Sequence, residues 1–176
     1  PEKIELDLGC GKGGFAVELS RQYPKRLVLA VDIMLGRVRK TQRKAERANV
    51  DNLVCIRAEA NELVGYLLPD ACIDRLHILC PDPWPKRRHS SRRLISSAFL
   101  NNVGRIMKQD GVLHLSTDDP FYLAQMREAV LVMNMFELAP TTIDDVRDIR
   151  TEFESRWLSR QLEVAHLAYQ LAAHAN

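Results

Sequence analysis

Asp7, Asp32, Glu59, Asp82 and Asp118 share one context: each stands at or just beyond the end of a short apolar run. In an open α/β sheet, ligands gather beyond the carboxyl ends of the strands, near the switch in strand order. Five such runs side by side would therefore deliver five carboxylates to one rim. Such a rim suits a ligand or a transition state that carries positive charge. Taken singly, each acid also fits a helix cap or a solvated turn; the repetition is what points to a site.

The first acid leads into Gly9-Cys10-Gly11-Lys12-Gly13-Gly14, which has two readings. Gly9-x-Gly11-x-x-Gly14 fits the dinucleotide fingerprint, with Asp32 near the distance expected for a ribose hydroxyl. Asp7-x-Gly9-x-Gly11-x-Gly13 fits equally the loop with which class I methyltransferases hold S-adenosylmethionine. Asp7 favours the second reading: a carboxylate beside a pyrophosphate is repelled, whereas beside the α-ammonium of a methionine moiety it is attracted.

Cations fall in two groups. Arg37, Arg39, Lys40, Arg43, Lys44 and Arg47 form a broad arc on a predicted helix, leaving Val38 and Ala45 for the core. A solvated helix face is the ordinary account of such an arc. Lys86-Arg87-Arg88-His89 with Arg92 and Arg93 differs, because it directly follows Asp82-Pro83-Trp84-Pro85 at the rim, with almost no acid nearby. Clustered cations beside such a rim suit a phosphate backbone. Trp84, set among prolines, is placed to stack on a base or wall the pocket, against the alternative of folding over its own loop.

The elements that must position these residues follow from periodicity. Strands are predicted at 4–8, 27–31, 53–56, 73–79, 112–116, 136–139 and 162–171, the last carrying enough alanine to compete as helix. Helices fall between them, from the glycine loop to Tyr23, from Leu35 to Ala48, around 61–68, over 95–106 and from Pro120 to Asn134. This alternation gives an α/β fold: an open, doubly wound, mostly parallel seven-stranded sheet in one domain over residues 1–176. With 46% hydrophobic and 27% charged residues, the 176-residue chain is not a disordered one, and its net charge of +2 is too mild to argue for nucleic acid alone. No run reaches the roughly 18 apolar residues of a membrane span, and no leader opens the chain, so a cytoplasmic protein without membrane attachment is expected. Pro1 stands where an initiator Met would, so a preceding segment is expected to be missing. Cys10, Cys55, Cys72 and Cys80 form no Cys-x-x-Cys, and no ligand-spaced histidine accompanies them, so no metal is expected.

Taken together, the chain resembles the tRNA (guanine-N7-)-methyltransferase family of class I methyltransferases. The most specific shared run is Cys80-Pro81-Asp82-Pro83-Trp84-Pro85-Lys86-Arg87-Arg88-His89 with Arg92-Arg93-Leu94. His114-Leu115-Ser116-Thr117-Asp118 and Thr151-Glu152-Phe153-Glu154 follow in specificity. The resemblance implies S-adenosylmethionine held by Asp7, Asp32, Glu59 and Asp82 with Gly9, Gly11 and Gly13 beneath. It implies Asp82 as the catalytic residue, and tRNA as partner, touched by Lys86, Asp118, Thr151, Glu152, Phe153 and Glu154. Departures from the family pattern are Glu152 where Lys is usual, Asp7 and Asp32 where many members have Glu, and Arg160-Gln161-Leu162 where a glycine is expected. Three other readings stand beside it. They are a nicotinamide-dependent oxidoreductase, a methyltransferase acting on another RNA or a small molecule, and a non-catalytic RNA-binding module. Monomer and homodimer remain equally open.

The basic run carries its own test. Replacing Arg87 and Arg88 together with Ala should weaken tRNA binding and flatten its salt dependence, since fewer counterions are released. An unchanged salt slope in a filter-binding titration would make the run a solvated loop.

Overall fold

The computed structural model describes residues 1–84, 92–160 and 163–172. Seven strands, β1 (Lys3–Leu8), β2 (Arg26–Asp32), β3 (Leu53–Arg57), β4 (Ile73–Leu79), β5 (Met107–Thr117), β6 (Phe136–Leu138) and β7 (Ala165–Leu171), form one sheet in the order β3-β2-β1-β4-β5-β7-β6. The pairs β1–β2, β1–β4, β2–β3 and β4–β5 are parallel. Strand β7 enters antiparallel between β5 and β6. The order reverses at β1 and β4, so the carboxyl ends of these two strands flank the crevice in which such sheets bind ligands.

Helices α1 (Gly14–Gln22), α2 (Leu35–Ala48), α3 (Ala60–Glu62, continued by a π-helical turn over Leu63–Leu67), α4 (Ser97–Ile106), α5 (Pro120–Met133) and α6 (Glu152–Leu158) complete the fold. Each start has a local cause. Ser96 and Asp119 cap α4 and α5 with their side chains, Pro120 sits in the first turn of α5, and Thr151 with Glu154 closes a full capping box on α6. Both faces of the sheet are covered. One core gathers Leu6, Leu76, Ile78, Phe99, Leu113 and Tyr122, and the other Phe15, Leu19, Val28, Ile143 and Val146. On α2, Val38 and Ala45 face the core as the arc of cations predicts, with Thr41 between them.

Helix α6 was not among the elements predicted from the sequence, and two strands differ from that reading. Strand β5 begins at Met107, not 112, because the chain passes from α4 straight into the sheet, with Met107 paired to Ile73 and a register shift before Arg75. Asp110, with φ 61°, is left-handed within this strand. Strand β7 is a strand throughout Ala165–Leu171; pairing to β5 and β6 on both edges overrides the helix propensity of its alanines.

Glu5, buried in the middle of β1, is balanced by cations from both neighbouring strands. Arg26 Nη1 lies 2.7 Å from it and Arg75 Nη1 lies 3.8 Å away. Both arginines also reach Asp145, Arg26 at 2.8 Å and Arg75 at 3.0 Å. The carboxyl group of Glu5 falls to about 2: burial opposes ionisation, but the His77 hydrogen bond and the two guanidinium groups outweigh it.

The glycine loop is fixed by packing at Gly13, the N-cap of α1, with φ 76°. A Cβ there would meet the Thr41 side chain at 2.4 Å. Gly13→Ala should therefore destabilise the fold by about 2 kcal/mol or more, from left-handed strain plus the collision with α2. Chemical denaturation of the two proteins is the check, and equal midpoints would refute the close packing.

Candidate active site

The carboxyl ends of β1, β2, β4 and β5 open onto a cleft of about 630 Å³. All five acids singled out in the sequence line it: Asp7, Asp32, Glu59, Asp82 and Asp118. Its wall is completed by Trp84, Arg92, Thr151, Glu152, Phe153, Arg156 and Trp157.

Asp7 is the most unusual of these groups. It is buried, and its Oδ2 is the one buried side-chain polar atom without a hydrogen-bond partner among the described residues. Burial, reinforced by repulsion from Asp32, raises its carboxyl to about 7. Asp32, equally buried, has partners. Its Oδ2 accepts from Gly11 N–H at 3.1 Å and lies 3.3 Å from Arg37, and its Oδ1 accepts from Met34 N–H at 2.8 Å. One member of the α2 cation arc, Arg37, thus belongs to the cleft rather than to a solvated face.

The loop amides distinguish the two readings of the glycine motif. Gly9 and Cys10 both donate N–H to Val31 O, Gly13 donates to Cys10 O, and Gly11 to Asp32. These four N–H groups are taken up within the protein, so none of them is left for a pyrophosphate. A cation beside Asp7 is what the loop lacks. The α-ammonium of a methionine moiety supplies one, so the residues present fit S-adenosylmethionine. The antiparallel β7 also departs from the all-parallel dinucleotide-binding order.

Glu59 is both a rim acid and a helix cap. Its side chain accepts from Glu62 N–H at 2.9 Å and from the Asn61 amide at 3.0 Å. These bonds and neighbouring backbone amides hold it below the usual carboxylate range, although burial alone would raise it.

Asp82 is exposed at the mouth, in a loop whose ends are both strained, since Cys80 has φ 50° and Trp84 φ 44°. Cys80 N–H is anchored to Ser116 O at 3.0 Å. Arg93 holds the other end, donating to Pro83 O at 2.7 Å and Trp84 O at 3.4 Å and pairing with Gln125. Arg93 therefore fixes the Asp82 loop, and its expected part in a phosphate-holding cluster is not what its contacts show. Arg92 lies over the Trp84 ring at 5.0 Å, and both line the cleft. Lys86, Arg87, Arg88 and His89 lie outside the described residues.

The Thr151–Glu154 segment divides by side chain. Phe153 is exposed at the cleft with the Arg156 guanidinium 5.9 Å from its ring. Thr151 lines the cleft while its hydroxyl caps α6. Glu152 is neutralised by Lys44 on α2 and by Lys12 of the glycine loop, 3.7 Å away. The acid that replaces the family's usual Lys thus leaves the local charge balanced. Glu154 does not line the cleft. It is buried, with Oε2 accepting Thr151 N–H at 2.9 Å and Oε1 2.6 Å from His166 Nε2. An expected substrate contact is therefore replaced by an internal one. Gly13, packed on Thr41, likewise stands behind the loop rather than in the cleft. Trp157 and Arg156 were not singled out as site residues in the sequence, and Arg37 was read there only as part of a solvated helix face.

A family model described as "Putative methyltransferase" matches residues 1–167. Among curated proteins, the tRNA (guanine-N(7)-)-methyltransferase of Chlamydia felis is 33% identical over 171 residues, 94% of this chain and 75% of that protein. That of Halorhodospira halophila is 35% identical over 170 residues, covering 94% and 74%. That of Thermotoga maritima is 30% identical over 164 residues, and there the chain spans only 50% of the relative's length. Among solved structures, a 16S rRNA methyltransferase shares the fold with TM-score 0.70 at 20% identity, covering 97% of this chain and 88% of that one.

The orphaned carboxylate predicts a stability cost that only a ligand relieves. Asp7 is protonated more readily folded than unfolded, so stability should fall as pH rises from about 4 to about 7. Asp7→Asn should abolish that dependence and stabilise the ligand-free protein at pH 7 by about 2–4 kcal/mol. Thermal unfolding across this range is the measurement, and a variant no more stable than the parent would contradict it.

Proposed function

The chain belongs to the tRNA (guanine-N(7)-)-methyltransferase family, and on that footing we propose that its cleft transfers a methyl group from S-adenosylmethionine to N7 of a guanine in the variable loop of tRNA. The observation that carries the reading is the cleft's rim of carboxylates around an unpaired, buried Asp7, with four loop amides already bonded within the protein. Such a site attracts a cation and disfavours a pyrophosphate, which argues against the oxidoreductase. A retired pocket in a binding module would have no use for a buried charge that costs stability.

S-adenosylmethionine, when bound, supplies an electrophilic methyl on a positively charged sulfur. Asp7 would meet its ammonium and Asp32 and Glu59 its ribose hydroxyls, above the glycine loop. Guanine N7 carries an in-plane lone pair and no proton at neutral pH, so nothing need be removed before attack. Forming the N–C bond would break the S–C bond and leave the positive charge on the imidazole ring of the base. The chain's work is positioning and electrostatics. Asp82 and Asp118, exposed at the mouth, are placed to stabilise that charge and to accept from guanine N1–H and its exocyclic amine. Adenine offers no such pattern, so the same acids provide specificity. Glu154, enclosed behind α6, takes no part in this contact. Trp84 and Phe153 offer flat faces to a base turned out of the folded RNA.

Incubation with methyl-labelled S-adenosylmethionine and unmodified tRNA should yield labelled 7-methylguanosine from the variable loop; label in another nucleoside, or none in RNA, would refute the assignment. Asp82→Asn keeps the shape and removes the charge, so the single-turnover rate should fall by about a hundredfold. The parent's single-turnover rate should be level through neutral pH. An acid limb that disappears in Asp82→Asn would make Asp82 a general base instead.

A further inference from the structure

Behind the cleft, three histidines from three strands join into one chain. Glu5 Oε2 lies 2.8 Å from His77 Nε2, and His77 Nδ1 lies 3.0 Å from His114 Nδ1. His114 Nε2 lies 2.9 Å from His166 Nδ1, and His166 Nε2 lies 2.6 Å from Glu154 Oε1. The chain crosses β1, β4, β5 and β7 and ends on α6. Glu5, His77, His114 and Glu154 are buried, and His166 has 18% of its side chain exposed.

Each of the four links is a hydrogen-bond distance between two nitrogens or a nitrogen and an oxygen, so each needs one hydrogen. Three neutral imidazoles carry three. The complete chain therefore holds one proton more than neutral histidines and ionised carboxylates provide. Its position follows link by link. Glu5 is ionised, faced by two arginines, so His77 donates from Nε2 and accepts at Nδ1. His114 then donates from Nδ1 and accepts at Nε2, and His166 must donate from both nitrogens, the second time to Glu154. Burial holds His77 and His114 in the neutral form, in agreement with this direction. Glu154 stays ionised, since the bonds from His166 and Thr151 outweigh the burial that opposes it.

Charge at the Glu154 end points the same way. Arg26 and Arg75 meet Glu5 and share the exposed Asp145, whereas buried Glu154 has His166 as its ion-pair partner. A buried carboxylate without a cation beside it is costly, which favours the imidazolium. The other groups within reach do not supply a substitute. Arg147, on the segment before α6, acts on His114 only through space and pairs with Asp144, and the Cys80 thiol near Glu154 is held neutral, pushed up to about 11 chiefly by burial. On β6, Glu137 is opposite Gln170, toward the other end of β7.

We propose that His166, kept as an imidazolium by this chain, is a positioning residue that holds the α6 wall of the cleft in place through Glu154. The same Glu154 carboxylate closes the capping box with Thr151, and the residues between them, Glu152 and Phe153, are cleft wall. Loss of the proton sets a lone pair against a carboxylate at this joint, and the first turn of α6 loosens on its substrate side. The inference deepens the proposed function and rests on it only for the kinetic readout.

The experiment has two arms. Ring-nitrogen NMR of the 15N-histidine-labelled wild-type protein at pH 7 should show His166 protonated on both nitrogens and His77 and His114 on one each. A singly protonated His166 overturns the inference, whether or not the protein methylates tRNA. In the kinetic arm, the KM for tRNA should be raised by about tenfold in His166→Phe and in Glu154→Gln, with a smaller change in kcat. A variant whose KM stays at the wild-type value also overturns it. A wild type that methylates no RNA refutes the proposed function and leaves the NMR arm to decide the inference.

Discussion

Strand β1 carries two buried acids two residues apart, on one face of a sheet that is covered on both sides, and the structure treats them in opposite ways. A carboxylate there is tolerable only if its lost hydration is replaced. Glu5 receives that replacement in full: Arg26 from β2, Arg75 and His77 from β4. Asp7, one pleat nearer the carboxyl end, receives nothing and faces Asp32. The contrast locates the site. Complete compensation at Glu5 makes β1 a rigid centre for its two neighbours, and that rigidity is what allows Asp7 to be held in a state it disfavours. Without the scaffold the loop would relax until water reached the carboxylate.

The remaining charges of the cleft are arranged so that the acids at the mouth stay ungrouped while those at the edges are tied. Arg37 and two backbone amides hold Asp32, Lys12 and Lys44 hold Glu152, and local amides hold Glu59. Asp82 and Asp118, exposed at the opening, are the acids available to a base that becomes cationic. The change from Lys to Glu at 152 is intelligible in these terms. The positive charge beside it comes from the glycine loop and α2, and the acid serves as the tie between them.

What could be read in the sequence was whatever depends on neighbours along the chain. The strand ends, the glycine loop, the Pro81–Trp84 turn and the five rim acids are local patterns, and all five acids do meet in one cleft. The early start of β5 was not legible, because Lys108-Gln109-Asp110 has a turn's composition and forms the irregularity between two β4 pairings, Met107 with Ile73 and Val112 with Arg75. Arg93 read as part of a basic run because charge is visible in sequence, whereas the carbonyls of Pro83 and Trp84 that receive its hydrogen bonds are not. The histidine chain was hidden most completely. His77, His114 and His166 are dozens of residues apart, and only the register, which sets His77 beside His114 and His166 opposite Ser116, brings them together. The one available signal was a histidine in the middle of each of three apolar strands, where an imidazole requires a partner.

Helix α6 is where these lines of force meet. Its first turn is fastened at Glu154 to the interior of the sheet and at Glu152 to the glycine loop and α2. Thr151 and Phe153, the flanking residues, face the cleft. The wall that a base would touch is thus connected to the floor on which a methyl donor would lie, by two ties of different character. The tie at Glu154 is buried, so it is weakly screened by salt, whereas the half-exposed one at Glu152 is readily screened and adds little stability. The Glu154 tie therefore sets where the wall stands, and the Glu152 tie only brings the wall's charge into register with Lys12 of the floor, although the two halves of the cleft lie at opposite ends of the chain.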